Sequence, residues 1–262
     1  MPDKHIISVK VWSDYACFTR PELKVERMSY PIMTPSAARG VLDAILFKKK
    51  TDPKDGQLTA AFHWHIRRIT ALRPWWIVGP GGDRPEFISF RRNEIQGKIP
   101  PRTVAGWIKA PETAESYLVD SAGRESAGGQ NRTQRNTLAL RNVVYRIDAS
   151  VDMTAFDEKD PPVKYRDMLL RRVEKGQCFH RPYLGCREFA CHFAPLDGTE
   201  KPLDWSEELG LMLYDIRFDQ NGQNLPGYFK ASIKRGVLHC DTADPGPDRE
   251  PPIKVLGWEV KP

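Results

Sequence analysis

Residues 138–153 read LALRNVVYRIDASVDM, the clearest strand in the chain. What flanks this strand decides the fold. After it, Asp160 is placed to cap a helix that opens with Pro161 and Pro162. Tyr165, Met168, Leu169 and Val173 would form that helix's apolar stripe, and Gly176 its stop. Before it, residues 96–136 carry Gly, Ser, Pro and scattered arginine. The run DSAGRESAGGQNRTQRN inside that stretch is too polar to bury a core, so the stretch is expected to be a long basic loop.

Further out, residues 5–12 (HIISVKVW) predict a first strand. The loop SDYACFTRPELKVERMSYPIM follows, too polar and too broken for a regular element. Thr34 before Pro35 is an N-cap ahead of a proline at the first helical position. Ala38, Val41, Leu42 and Ile45 then repeat at helical spacing, predicting a helix over 35–48. Residues 61–73 predict a strand with His63, His65, Arg67 and Ile69 on one side and Phe62, Trp64, Ile66 and Arg68 on the other. Residues 86–95 (EFISFRRNEI) predict another. Strand character returns at 186–193, 210–219, 228–233 and 237–241, the last two joined by a hairpin turn at Lys234-Arg235-Gly236. The order fits an α+β fold: a ferredoxin-like (RRM-type) βαββαβ domain over 1–195, elaborated by the 96–136 loop, with a β-rich C-terminal extension over 196–262.

The chain has 262 residues, 40% of them hydrophobic. No apolar run approaches the ~18 residues of a membrane span, and the first residues do not form a signal peptide, so a cytoplasmic protein is expected. Five irregularly spaced cysteines argue for free thiols. Cys178, Cys186 and Cys191 crowd with His180 and His192, but no CxxC pair is present and no metal site or cofactor is expected. Lys and Arg number 40 against 34 acids. Arginines cluster at Arg67, Arg68 and Arg73, at Arg91 and Arg92, from Arg124 to Arg146, and through Arg166, Arg171, Arg172, Arg181 and Arg187. Clustering in several segments favours a polyanion over isolated surface charge.

Three stretches resemble one family: SDYACFTRPELKVERMSYPIMTPSAARGVLDAILF (13–47), FRRNEI with NTLALRNVVYRIDA, and KYRDMLLRRVEKGQCFHRPYLGCREF (164–189). On these the chain is identified as resembling the CRISPR-associated RAMP proteins, the Cas-five family of the Dvulg subtype. The resemblance implies a pre-crRNA endoribonuclease of subtype I-C. Such a protein cuts CRISPR repeat RNA without a metal, by attack of a ribose 2′-hydroxyl on the neighbouring phosphate. It then stays on the crRNA 5′ handle, with the other subunits of the type I-C interference complex as partners. A non-catalytic handle-binding subunit is the alternative, and duplex DNA stays open as a further partner; no membrane partner is expected.

The family pattern implies a catalytic tyrosine on the first helix and a lysine-histidine pair opening the second. Here those positions hold Leu46 and Lys164-Tyr165. Lys164, Tyr165 and His180 are the candidate catalytic residues, with His63 and His65 as other histidines able to titrate near neutral pH. For RNA the candidates are Arg20, Arg27, Arg91, Arg92, Arg132, Arg135, Arg141, Arg171, Arg172, Arg181 and Tyr183. Phe179 is expected in the core, and for Tyr183 both a stacking and a core position stay open.

Overall fold

The computed structural model describes residues 6–23, 25–51, 56, 58–76, 83–95, 99–114, 132–153, 161–218, 222–242 and 252–258. In chain order the elements are β1 (Ile7–Ala16), β2 (Arg27–Met28), α1 (Pro35–Ile45), β3 (Lys49–Thr51), β4 (Leu58–Ala60), β5 (Phe62–Ala71), β6 (Glu86–Ile95), α2 (Pro101–Lys109), β7 (Arg132–Met153), α3 (Pro162–Glu174), β8 (His192–Ala194), β9 (Glu207–Phe218), β10 (Asn224–Lys234) and β11 (Val237–His239). The fold is α+β. Its main sheet runs β8-β1-β7-β5-β11-β10-β9, with β2 and β6 also paired to β7, and β1 with β7 and β8, β5 with β7 and β11, and β10 with β9 and β11 are all antiparallel. No helix among the described residues is long and apolar enough to cross a membrane.

The long strand β7 organises this sheet. Its residues pair with β1 from Leu140 to Ala149 and with β5 from Tyr145 to Met153. Tyr145, Ile147, Ala149 and Val151 point into the core beside Val9 and Val11 of β1. On this face α1 contributes Ala38, Val41, Leu42 and Ile45, and α3 contributes Tyr165, Leu169 and Val173. Helix α1 begins as its sequence predicts, with Thr34 Oγ1 accepting the Ala37 N–H at 3.2 Å and Pro35 in the first turn. It ends at Ile45, short of the expected Phe47–Lys48, because Leu46 turns extended and its N–H closes on Leu42 O.

The opposite face of β7 is polar. Asp148 is 1% exposed and accepts from Ser8 Oγ at 2.5 Å, Arg68 Nε at 2.6 Å and Arg146 Nε at 2.7 Å. Ser8 and Arg68 are its direct cross-strand neighbours on β1 and β5. That row exists because of a β-bulge: Ile66 pairs with Ala149 and Arg68 with Asp148, leaving Arg67 as the extra residue. The strict alternation read from the sequence therefore fails beyond Ile66. Ile69 joins Phe62, Trp64 and Ile66 in the core, whereas Arg68 turns outward to the acid.

Two further expectations are corrected. The 96–136 loop contains α2 over Pro101–Lys109, and β7 begins at Arg132. A proline in the first turn with Val104, Trp107 and Ile108 at helical spacing accounts for α2. The strand expected at 186–193 shrinks to β8, because the bends around Gly185 (φ +82°) occupy 184–189. Strands β9 to β11 belong to the main sheet, which β11 continues by hydrogen-bonding to β5. The Arg235-Gly236 turn joins β10 to β11 with both residues at positive φ, 48° and 77°, as a two-residue hairpin requires. The expected Asp160 cap and Arg124 lie outside the described residues.

The chain divides into two units, Met1–Ile88 with Leu138–Pro262, and Ser89–Thr137. The smaller holds most of β6, α2 and the start of β7. Replacing Asp148 by Ala strands two guanidinium groups and a hydroxyl beside a buried position, so Asp148→Ala is expected to lower unfolding stability by about 3 kcal/mol. Urea denaturation followed by circular dichroism measures this; a loss below about 1 kcal/mol would show that the network is dispensable.

Candidate nucleic-acid interface and cleavage site

The arginine clusters of the sequence separate into two kinds. Arg67 donates to both oxygens of Asp241 at 2.8 and 2.7 Å and to Ser150 Oγ at 3.0 Å. Arg68 and Arg146 belong to Asp148, Arg73 pairs with Asp83 at 2.8 Å, and Arg39 holds Asp215 with two guanidinium nitrogens. These arginines bind acids of the chain itself, so their clustering reports internal ion pairing. Of the RNA candidates in the larger unit, Arg27 pairs with Glu188 at 2.7 Å, Arg141 approaches Glu86 at 3.4 Å, and Arg20 lies over the Tyr30 ring at 4.8 Å. Arg172 donates to Ile45 O at 2.6 Å. Arg171, Arg181 and Arg187 are exposed, and among the described residues none of them forms a salt bridge. Arg91, Arg92, Arg132 and Arg135 belong to the smaller unit, on β6 and the first residues of β7.

The candidate catalytic residues do not converge. Lys164 is exposed in the first turn of α3, with its Nζ 5.5 Å from the Tyr165 ring centroid. Tyr165 is 2% exposed, its ring 4.4 Å from that of Phe62 in the core. Leu46 is buried too, and its carbonyl accepts from Trp64 Nε1. His180 lies past the other end of α3. Its N–H and that of Phe179 both bond Ala44 O, next to the Ile45 carbonyl that Arg172 reaches. Eight residues of helix separate Lys164 from Arg172, roughly 12 Å of rise. Lys164 and His180 therefore mark opposite ends of α3.

His180 opens onto a cleft of about 450 Å³ whose walls include Thr19, Ser36, Asp43, Tyr183 and Gly185. Asp43 was not singled out in the sequence, because an acid on an amphipathic helix reads as solvated surface; its signal was Arg39 one turn earlier. Burial pushes the Asp43 carboxyl up to about 6, with Asp215 adding to the rise and Arg39 and His180 opposing it. The arrangement supplies an imidazole, a carboxyl raised to about 6 and the hydroxyls of Thr19, Ser36 and Tyr183 around one space, the elements of proton transfer. Phe179, expected in the core, is 65% exposed beside this cleft, and Tyr183 is 37% exposed on its wall; both rings are available for stacking. The other histidines sit elsewhere. His65 has both ring nitrogens engaged, Nδ1 with Asp152 at 3.1 Å and Nε2 with Thr242 Oγ1 at 3.2 Å, and His63 lines a different cleft of about 560 Å³.

This α+β architecture is shared with solved structures. One is titled as a CRISPR-associated protein, at TM-score 0.54 and 18% identity over 89% of this chain and 90% of that one. Another is a functionally uncharacterised protein of Streptococcus mutans, at TM-score 0.53 and 16% identity over 89% and 91%. At these identities the likeness concerns the fold alone. Residues 6–241 match the model of the family described as CRISPR-associated protein (Cas_Cas5), and the chain belongs to that family. Two curated relatives are similar along nearly their whole length, and both are named CRISPR pre-crRNA endoribonuclease Cas5d. The one from Mannheimia succiniciproducens is 39% identical over 240 residues, 88% of this chain and 93% of its own. The one from Thermus thermophilus is 34% identical over 249 residues, 88% and 90%.

Asp43 gives a direct check on the cleft. Its folded-state pKa lies above the unfolded one, so the penalty for its charge is absent at low pH and grows as pH rises between about 4 and 6. Asp43→Asn is therefore expected to melt at a higher temperature than the native chain above pH 6, with the difference vanishing below about pH 4. Thermal unfolding across pH measures this; a pH-independent difference would mean that Asp43 is solvated.

Proposed function

We propose that this chain is a CRISPR pre-crRNA endoribonuclease. It cuts repeat RNA through attack of a ribose 2′-hydroxyl on the adjacent phosphate, needs no metal, and stays on the 5′ handle of its product as a subunit of a type I-C interference complex. The observation that carries the reading is the His180–Asp43 cleft, found in a chain whose full-length relatives bear that activity in their names. We infer also that β1, α1, β5, β7, α3 and β8 form a ferredoxin-like βαββαβ unit. The antiparallel order β8-β1-β7-β5 and the two helices packed on one face support it.

In this reading His180 and Asp43 share the proton transfers. One takes the proton of the 2′-hydroxyl and the other returns one to the departing 5′-oxygen. Tyr183 and Phe179 stack the bases that flank the cut, and Arg181 and Arg171 hold neighbouring phosphates. Lys164 binds phosphate about 12 Å along α3 from that end and steers the hairpin into place. Tyr165 supports Lys164 from below, packed on Phe62. Arg20, Arg27, Arg141 and Arg172 contribute at the same unit's surface, and Arg91, Arg92, Arg132 and Arg135 form a separate contact set on the smaller unit.

A second reading has one specific observation behind it: Leu46 and Tyr165, which stand where the family pattern has a tyrosine and a histidine, are both buried. A handle-binding subunit that does not cut would tolerate that. Single-turnover cleavage of the cognate repeat RNA in EDTA separates the readings. His180→Ala is expected to slow cleavage about 10²-fold or more with RNA affinity nearly unchanged. Lys164→Ala is expected to weaken binding and to make it less salt-dependent. Uncut RNA with the native protein would leave the handle-binding subunit. Cleavage lost in Lys164→Ala but kept in His180→Ala would place the chemistry at the start of α3.

A further inference from the structure

Two of the five cysteines face each other where the end of β1 meets the 184–189 bends. The approach is set by backbone. Cys17 N–H donates to Leu184 O at 3.1 Å, and Leu184 N–H to Phe189 O at 2.8 Å. Gly185, at φ +82°, lets the chain pass so close that a Cβ there would stand 2.0 Å from Cys17 O. Cys186 is thereby laid over Cys17. Its Sγ is 3.6 Å from Cys17 O, and Thr19 Oγ1 lies 3.6 Å from one sulfur and 3.9 Å from the other.

The surroundings make the two sulfurs unlike. Cys17 is fully buried, whereas Cys186 is partly exposed, with Arg27 Nη1 at 3.4 Å from its sulfur. The hydrogen bond from the Cys17 thiol and the Arg27 charge bring Cys186 down to about 7, against burial and the Glu188 carboxylate. Cys17 moves up, because that same bond holds its proton and burial disfavours its thiolate. The other buried thiols are inert by comparison: burial pushes Cys191 to about 12 and Cys240 higher still.

We propose that Cys17 and Cys186 are a peroxide-reactive dithiol, with Cys186 the attacking sulfur and Cys17 the resolving one. The Cys186 thiolate attacks one oxygen of hydrogen peroxide. A sulfur–oxygen bond forms, the oxygen–oxygen bond breaks, and the departing hydroxide leaves as water with the proton that Cys186 released. The Cys17 sulfur then attacks the resulting sulfenic acid. A disulfide forms, the sulfur–oxygen bond breaks, and a second water leaves with the Cys17 proton. Two thiols are oxidised by two electrons, and one peroxide is reduced to two waters. The product ties the end of β1 to the bends that carry Tyr183 and Arg187, and it removes the thiolate facing Arg27. None of this depends on the assignment of the cleavage residues.

The test uses the full chain, treated with a small excess of hydrogen peroxide, blocked with an alkylating agent and mapped by mass spectrometry without reduction. A linked Cys17–Cys186 peptide is expected as the main product, with Cys178, Cys191 and Cys240 recovered alkylated after unfolding. In Cys17→Ser, Cys186 is expected to accumulate as a sulfenic acid that a dimedone probe captures, and in Cys186→Ser the probe should capture neither position. On the untreated protein at pH 7, Cys186 should alkylate at least about tenfold faster than Cys191 or Cys240. Recovery of Cys17 and Cys186 as separate reduced thiols after peroxide would overturn the proposal. So would oxidation confined to the exposed Cys178.

Discussion

A buried carboxylate in the middle of the central strand constrains the rest of the molecule. Asp148 has almost no solvent of its own and is held by a serine from β1, an arginine from β5 and an arginine from its own strand. A charge so placed is tolerated only when its lone pairs are filled. Any one-residue slip of either neighbouring strand would also carry a donor to the wrong face, so the carboxylate specifies register as well as contributing energy. The bulge at Arg67 satisfies both demands on β5: it keeps Ile66 and Ile69 in the core and still presents Arg68 to the acid. Arg67, left over by the bulge, then reaches Asp241 beyond β11 and links the C-terminal strands to the central ones.

That network occupies the polar face of the sheet, which is spent on internal ion pairs among Arg67, Arg68, Arg146, Asp148 and Asp241. Arg171, Arg181 and Arg187 are among the exposed cations of the larger unit that form no salt bridge within the described residues, and they lie on α3 and in the segment just after it. The exposed rings of Phe179 and Tyr183 are in the same segment. Position follows from connectivity: the carbonyl of Ala44 at the end of α1 captures two successive N–H groups, from Phe179 and His180. This turns the side chains of the segment outward and lets His180 share a cleft with Asp43.

Much of this was legible in the residues. Thr34-Pro35, the α1 stripe, the β7 run and the Arg235-Gly236 turn each announce their element by local chemistry, which does not depend on the partner. What could not be read were features set by distant partners. Nothing local in HIRRI signals a bulge, since the reason for it, Asp148, is 80 positions away. Phe179 looked like core because it is large and apolar, but the backbone of its segment is fixed by Ala44, leaving no room to fold the ring inward. Arginine clusters pointed to a polyanion although several had acids waiting across the sheet, and charge counts carry no pairing information. Asp43 was overlooked because its significance comes from burial by other elements.

The two departures from the family pattern acquire a physical meaning from burial. Leu46 lies wholly inside the core beside Trp64, and Tyr165 is packed on Phe62, so neither side chain is placed to meet a ribose. An apolar residue such as Leu46 suits dry surroundings directly, and the Tyr165 ring suits them by stacking on Phe62. A cutting enzyme built on this chain must then take its proton-transfer groups from side chains that solvent and RNA can both reach. The groups the proposed reading uses are His180, on the surface, and Asp43, whose affinity for a proton is raised by burial. In the proposed reading the proton-transfer groups are those that face the cleft, and the two buried positions serve packing.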